Sequence, residues 1–526
     1  MNAQIYRMAI VHHEVYILFL MIAILIILNI RQIKTEFSNV KRKTWIMLAL
    51  IFMIALGVRM NVLHIHLIYQ DEPYYGTVAK SMVLYNNAAI TYYDDFNQLD
   101  FLELTKNYMG WSFILSIGYF LFGVKDLVAV YFTSFIGAIT IPLIFIFSYL
   151  LFRKERVSLL AAFFFSILPL HVFWSSTSVA NISSLFFVIL ALIAFILYSR
   201  TLDNKLNLLG VLLLMFTIQI RPENILLIPT VWILYFIFIR KFRQKINIGF
   251  WIPWFIFIIL FMIYIPQLNQ MFGYIGSFYS SSIENINIKI DLMTLFVKYN
   301  LNQPLYMVIF LLIGLRQAFR NYKKETLFLG ILYLATPVFF ILWQGWDTYR
   351  YFFINYFCIL SLQSMGVLFV YNKLRRKKKI IALVFALIVL VSMIAYAYSD
   401  INNYYLQKGV NKYILSTRVP AMIEADIDDN CYVITNDEDS VTLTSGSLLK
   451  VMVLKDIRIS IKKRIKDIDC LMYFEGIICT RPSVKQEEAK KCTEIHNYFN
   501  LEYYKEYNSP EANYKLYKLE LKNQDD

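Results

Sequence analysis

Trp45-Ile46-Met47-Leu48-Ala49-Leu50-Ile51-Phe52-Met53-Ile54-Ala55-Leu56-Gly57-Val58 is an unbroken apolar run, and a little beyond it comes Ile68-Tyr69-Gln70-Asp71-Glu72-Pro73-Tyr74-Tyr75, where two carboxylates stand side by side. The first stretch has the composition of a membrane-spanning helix. Similar runs recur along most of the chain, Ile380 to Tyr398 among them. Of the 526 residues 58% are hydrophobic and 17% aromatic, and the mean hydropathy is +0.53. Such a composition excludes an ordinary soluble protein, and in it a pair of acids beside a span reads as a working group.

From about residue 15 to about residue 398, apolar runs alternate with short polar loops. After Asp400 the charge density rises and no spanning run follows. Residues 1–398 therefore read as a membrane module and 399–526 as a separate soluble domain. The first apolar run, Val15 to Ile30, has no small-residue cleavage site after it and reads as an uncleaved anchor. In the tail, Cys431 to Thr435, Val451 to Leu454, Cys470 to Phe474 and Tyr514 to Leu519 are strand-like, and Val484 to His496 is helix-like, so a small α/β domain is expected.

The formal charge of +14 is spread over loops: Arg31 to Lys43, Arg153 to Arg156, Arg240 to Lys245, Arg316 to Lys324 and Lys373 to Lys379. That is the distribution of positive loops retained in the cytoplasm, not of a nucleic-acid surface, and no nucleic acid is expected as a partner. Placing every basic loop inside gives about twelve spans, starting near residues 15, 44, 127, 157, 182, 206, 224, 246, 304, 326, 351 and 380, with both termini outside. Trp111 to Phe122 is short for a span, and counting it would invert every later loop, so it is expected as a membrane-surface or re-entrant helix. The large outer loops are then 61–126 and 267–303.

Asp71 stands where a helix N-cap would stand, with Pro73 in the first turn. A cap has no need of the second acid. Neighbours on a helix point about 100° apart, so one carboxylate can face a reaction centre while the other orients it or binds a cation. Arg221-Pro222-Glu223 and Asp347-Thr348-Tyr349-Arg350-Tyr351 each separate two spans on the same expected face. Arginine there runs against the positive-inside bias. Snorkelling beside tyrosines accounts for Arg350, and pairing with Glu223 accounts for Arg221; bidentate binding of a phosphate is the functional alternative for both. His64 and His66 have a spacing compatible with metal binding on a strand, but without a third ligand they read as interfacial, and no metal site is assigned. Dinucleotide fingerprint, P-loop, zinc-finger spacing and nucleophile elbow are all missing from the sequence. Cys431, Cys470, Cys479 and Cys492 in the tail allow three disulfide pairings, among which the sequence does not choose.

Taken together these residues resemble the type-C glycosyltransferases (GT-C) of the protein mannosyltransferase and lipid A aminoarabinose transferase kind, glycosyltransferase families 39 and 83. The likeness covers most of residues 44–370. It rests on Asp71-Glu72-Pro73-Tyr74-Tyr75 with Ala79 after a span; on Gly110 to Gly123, similar to the family's juxtamembrane helix; on Arg221-Pro222-Glu223; and on Arg350-Tyr351 opening a late span. The resemblance implies a polytopic α-helical membrane enzyme that takes a sugar from a polyprenyl phosphate, and the lipid bilayer as its setting. It implies Asp71 as catalytic base and Arg350 as a contact to the donor phosphate. Glu72 is read as the partner that orients Asp71, Arg221 as a second phosphate contact, and Tyr351, Tyr74 and Tyr75 complete the expected substrate-binding set. The acceptor is a hydroxyl on a protein, lipid or glycan, the expected product is inverted at the sugar, and the site faces outward together with the soluble domain.

Two positions depart from the family. Asn107-Tyr108-Met109-Gly110 replaces a Pro-Pro pair common near the juxtamembrane helix, and Asn181 stands in the loop from Ser175 where many members have an acid. The second departure leaves a cofactor unassigned, with a divalent cation as an open alternative. A lipid-linked-sugar flippase or other polytopic transporter is the competing class, disfavoured by the lack of clear half-to-half symmetry and of ionisable residues in mid-span. A polysaccharide ligase or polymerase is the third reading, disfavoured by the early Asp-Glu loop.

Overall fold

A computed structural model describes residues 3–62, 71–84, 86, 88, 109–239, 247–262, 304–343, 356–408, 422–423, 426–427, 431–435, 450–453, 470–475, 495–497, 499–508 and 513–521. Its first part is a helix bundle. The order is α1 (Ala3–Glu36), α2 (Arg42–Asn61), α3 (Asp71–Leu84), α4 (Met109–Phe122), α5 (Asp126–Phe152), α6 (Glu155–Ser166), α7 (Pro169–Ser175), α8 (Asn181–Thr201) and α9 (Asn204–Ile220). A 3₁₀ turn (Pro222–Leu226) leads into α10 (Leu227–Phe238) and α11 (Ile248–Met262), and then come α12 (Leu305–Asn321), α13 (Lys323–Trp343), α14 (Tyr356–Lys377) and α15 (Lys379–Lys408).

A helix begins within a few residues of the span starts expected near 44, 127, 157, 182, 206, 224, 246, 304, 326 and 380, whereas the first helix starts earlier, at Ala3, and the start expected near 351 lies outside the described residues. Among the described residues six are long and apolar enough to cross a membrane: His13–Glu36, Arg42–Asn61, Leu127–Phe152, Asn181–Thr201, Tyr356–Lys377 and Lys379–Ile401. The pair α6 and α7, bent by 58° just before Pro169, adds a seventh if the two form one broken span. Proline at the first position of α7 suits a helix start and cannot continue the helix before it. The chain is a mostly helical, multi-pass membrane protein.

The helix α4 does not behave as a surface helix. A surface helix is apolar on one face only, whereas every residue from Met109 to Ser116 is buried, and only the last turn, Phe120 to Phe122, is exposed. Phe113 meets Tyr16 and Phe19 of α1 at ring-centroid distances of 4.7 and 5.3 Å. Gly110 lets α4 approach α9 closely, since a Cβ there would come within 2.7 Å of the Gln219 and Ile220 backbone. Its sequence reads as short because the helix is enclosed by protein rather than laid on lipid.

Two polar clusters mark opposite ends of the bundle. At one end Glu36, closing α1, pairs with Arg153 after α5 and with Arg200 near the end of α8. Glu155 accepts from the Thr44 hydroxyl beside it and from the Lys41 amide at 3.4 Å. Two of the basic loops, Arg31 to Lys43 and Arg153 to Arg156, are thereby gathered with the end of α8 on one side, as positive loops sorted to one face require.

The tail contains a five-stranded sheet in the order β2-β1-β3-β5-β4, formed by β1 (Tyr432–Thr435), β2 (Lys450–Val453), β3 (Leu471–Glu475), β4 (Phe499–Asn508) and β5 (Asn513–Leu521). The first three strands are parallel, and β4 with β5 forms an antiparallel hairpin. Val433, Met472, Phe474, Tyr507 and Leu516 make its core with Ile423 and Cys431. Cys431 and Cys470, each one residue before a paired strand, form a disulfide; Cys479 and Cys492 lie outside the described residues, as does most of Val484 to His496. Lys505 Nζ meets both Asp426 carboxylate oxygens at 2.7 Å, and the Tyr507 hydroxyl donates to one of them at 2.7 Å. The Lys505 contact holds the Asp426 carboxyl below its usual range.

Candidate functional site

The end of the bundle opposite Glu36 collects the C-terminal ends of α2, α7 and α9 and the N-terminal ends of α3 and α8. Asp71 opens α3, and Glu72 follows it into the protein. Glu72 has no exposed surface, and a carboxylate in that position needs hydrogen-bond donors to offset its lost water. Ser178 supplies two: its amide donates to Glu72 Oε2 at 3.1 Å and its hydroxyl at 2.8 Å. The carbonyl of the same serine accepts from Trp111 Nε1 at 2.7 Å. One residue of the α7–α8 loop thus ties α3 to α4. Hydrogen bonds to a charged group contribute about 1.5–3 kcal/mol each, so this junction fixes the start of α3, and with it the backbone of Asp71.

Arg59, near the end of α2, is also wholly buried. One of its Nη1 contacts is Ser166 O at 2.9 Å, the last carbonyl of α6, which the break before Pro169 leaves without a helical partner. Arg59 also meets Ala55 O at 2.9 Å from Nη1, Ser175 Oγ at 3.3 Å from Nε, and His171 Nδ1 at 2.6 Å from Nη2. A Cβ at Gly137 would strike Ser175 Oγ and stand 3.3 Å from Arg59 Nε, so glycine makes the room for this guanidinium. The bend between α6 and α7 is held by a charge that α2 carries.

Arg221 lies in extended backbone, φ −148° and ψ 117°, between α9 and the 3₁₀ turn. Pro222 explains the break, because a residue before proline is pushed out of helical geometry. Arg221 Nη1 donates to Asn181 Oδ1 at the start of α8; Nη2 meets Glu223 Oε1 at 3.3 Å and Nε meets Oε2 at 3.5 Å. Asn224 pins the turn, its Nδ2 donating to Ser184 Oγ at 2.9 Å and to Thr217 O at 2.8 Å. Two residues before Arg221, Gln219 Nε2 donates to Glu14 Oε1 of α1 at 3.2 Å.

The structure therefore brings the start of α3 and Arg221 to one end of the bundle. Tyr75 is buried along α3. The side chains of Asp71 and Tyr74, and all of Arg350, Tyr351, His64 and His66, lie outside the described residues. Arg59, Ser178, Asn224 and the buried Lys80 of α3 were not found from the sequence. A signal for Ser178 existed in the hydroxyl run Ser175-Ser176-Thr177-Ser178, which is unusual between two apolar segments. Among the described residues no three His, Cys, Asp or Glu side chains converge as a metal site would need, and Asn181 is engaged by a guanidinium.

No family model matches the chain, and no curated protein matches it in sequence. Solved structures do. ArnT from Cupriavidus metallidurans bound to undecaprenyl phosphate superposes with a TM-score of 0.55 at 11% identity, covering 91% of this chain and 98% of that one. Its apo state gives 0.54 at 13% identity, covering 90% and 97%. The archaeal oligosaccharyltransferase AglB from Archaeoglobus fulgidus, in complex with an inhibitory peptide and a dolichol-phosphate, gives 0.53 at 12% identity, covering 88% of this chain and 69% of that one. The chain has the type-C glycosyltransferase fold.

Proposed function

We propose that this protein is a membrane glycosyltransferase that moves a sugar from a polyprenyl-phosphate donor to an acceptor hydroxyl on the outer face of the membrane. The observation that carries the reading is the meeting, at one end of a GT-C fold, of an acidic helix start with a built-in guanidinium. Two similar structures hold lipid phosphates, undecaprenyl phosphate in one and dolichol-phosphate in the other. The reading of about twelve crossings takes the six long apolar helices, the bent pair, Asn204–Ile220, Pro222–Phe238 and Ile248–Met262 together with Leu305–Asn321 and Lys323–Trp343, and the basic loops at the Glu36 end support an outward Glu72 end. A disulfide in the tail supports the same side for the soluble domain.

In this reading Asp71 removes the proton of the acceptor hydroxyl, whose oxygen forms a bond to the sugar's anomeric carbon. The bond from that carbon to the phosphate oxygen breaks, and the electron pair leaves with the polyprenyl phosphate. General-base help of this kind is worth roughly 10² to 10⁴ in rate. A single in-line displacement inverts the sugar. Glu72, buried and held by Ser178, sets the position of Asp71 rather than meeting substrate. Arg221 and Arg350 stabilise the leaving phosphate, and Tyr74, Tyr75 and Tyr351 shape the pocket. No step is assigned to a metal.

The test incubates purified protein in detergent with a panel of radiolabelled polyprenyl-phosphate sugars and candidate acceptors. Consumption of one donor with release of the lipid phosphate is expected. Movement of intact donor across liposomes without consumption would instead make the protein a flippase. For orientation, Glu520→Cys on β5 should react with a membrane-impermeant maleimide in intact cells above the wild-type background. Reaction only after lysis would place the soluble domain inside.

A further inference from the structure

We infer that the Glu223 carboxylate is an internal stand-in for the lipid phosphate that sugar transfer releases, occupying the Arg221 fork until that phosphate monoester displaces it. The inference rests on the lipid-phosphate reading above and adds a regulatory contact to that site. Its ground is the way Arg221 is divided. Nη1 is anchored on Asn181, a residue buried at the start of α8, whereas the Nε–Nη2 edge meets the two oxygens of Glu223, one each. An edge that receives two coplanar oxygens in parallel is the edge that grips a phosphate monoester.

The two sides of the guanidinium differ in mobility. At 3.3 and 3.5 Å the carboxylate contacts are long for charge-assisted hydrogen bonds. Glu223 is also the more open partner, its side chain 19% exposed against 9% for Arg221. The backbone around it is fixed, by Pro222 on one side and by the Asn224 contacts to Ser184 and Thr217 on the other. What can move is the Glu223 side chain, and its departure leaves Arg221 still held by Asn181. The released lipid phosphate, a monoester, brings more charge and a third oxygen to the same edge, so exchange favours it. When the lipid phosphate leaves, the carboxylate returns. The site then never presents a bare guanidinium to other anions.

The experiment titrates undecaprenyl phosphate into full-length protein in detergent and reads thermal stabilisation, with inorganic phosphate as a second probe. Glu223→Gln, which cannot compete as an anion, should bind the lipid about fivefold tighter than wild type; Glu223→Ala should do the same. Arg221→Gln should bind about tenfold weaker or worse, and adding Glu223→Gln to it should restore nothing. Each variant is first compared with wild type without lipid, and Glu223→Ala guards against a local fault in the glutamine variant. Unchanged or weaker binding in both Glu223 variants overturns the stand-in while leaving the clamp. Wild-type affinity in Arg221→Gln removes Arg221 from the site but leaves the lipid-phosphate reading intact. No binding of undecaprenyl phosphate to wild type overturns both. Equal stabilisation by inorganic phosphate would make the exchanging ligand the free anion and overturn the lipid as its source.

Discussion

At one end of the bundle Arg153 and Arg200 meet Glu36 with their side chains open to solvent; at the other, Arg59 and Glu72 meet serines, a histidine and backbone carbonyls with no exposure at all. Both ends use the same residue types. The first spends them where water and the lipid headgroups can take over any partner that is lost. The second spends them where a lost partner leaves a polar group stranded. Exposed ion pairs are worth about 0–1 kcal/mol, whereas each buried polar group left without its partner costs about 1–3 kcal/mol. Charge at the Glu36 end therefore sorts loops to one side, and charge at the Glu72 end sets distances.

The comparison breaks first at Arg59. Arg59→Met would leave the Ser166 carbonyl and His171 without their guanidinium, and unfolding of the detergent-solubilised protein should show a loss of about 2–5 kcal/mol. A variant as stable as wild type would mean that the α6–α7 bend holds itself. Next comes Asp71→Asn, because asparagine caps a helix as well as aspartate but cannot take a proton. Sugar transfer should fall roughly 10²-fold or more with melting temperature and donor affinity kept. Wild-type turnover would return Asp71 to the role of a cap and move the search for the base to Glu72, with Glu72→Gln as the control.

A smaller effect is expected from Arg350→Lys, which keeps the charge and loses the fork. Donor use should drop about tenfold with normal protein levels, and a snorkelling arginine would show no drop. The smallest is Glu36→Gln at the other end, where stability should change by less than about 1 kcal/mol and activity not at all. A large loss there would erase the distinction between the two ends.

What the sequence could tell followed the same division. The span starts were legible because each rests on a local apolar run, and the basic loops because positive charge is counted along the chain. Arg59 was not, since its partners Ser166, His171 and Ser175 lie 107, 112 and 116 positions away, and an arginine at the end of a span looks interfacial until those partners are known. The α4 helix was read from its length and from the side on which the later basic loops fall, and neither says whether protein or lipid surrounds it. In the tail, β4 escaped notice for a different reason. A bulge between Tyr503 and Lys505 shifts the alternation of Phe499–Asn508, so that Tyr503 faces Tyr517 across the hairpin while Lys505 pairs with Leu516. A strand whose register slips in the middle loses the period of two by which strands are found.

Further along the bundle, α12 and α14 touch backbone to backbone. A Cβ on Gly314 would collide with the Leu362 carbonyl, and one on Gly366 with the Phe310 carbonyl. Beside that point Gln363 Nε2 of α14 donates to the Met307 carbonyl of α12 at 3.2 Å, so the two helices are locked at their crossing. From Gly366 to the start of α14 at Tyr356 is about 15 Å at 1.5 Å per residue, so a tilt of about 10° forced by a side chain at either glycine would carry that end through about 2.6 Å. Arg350 and Tyr351 stand just ahead of it in the chain. A pair of mid-helix glycines thus decides where the far end of α14 begins.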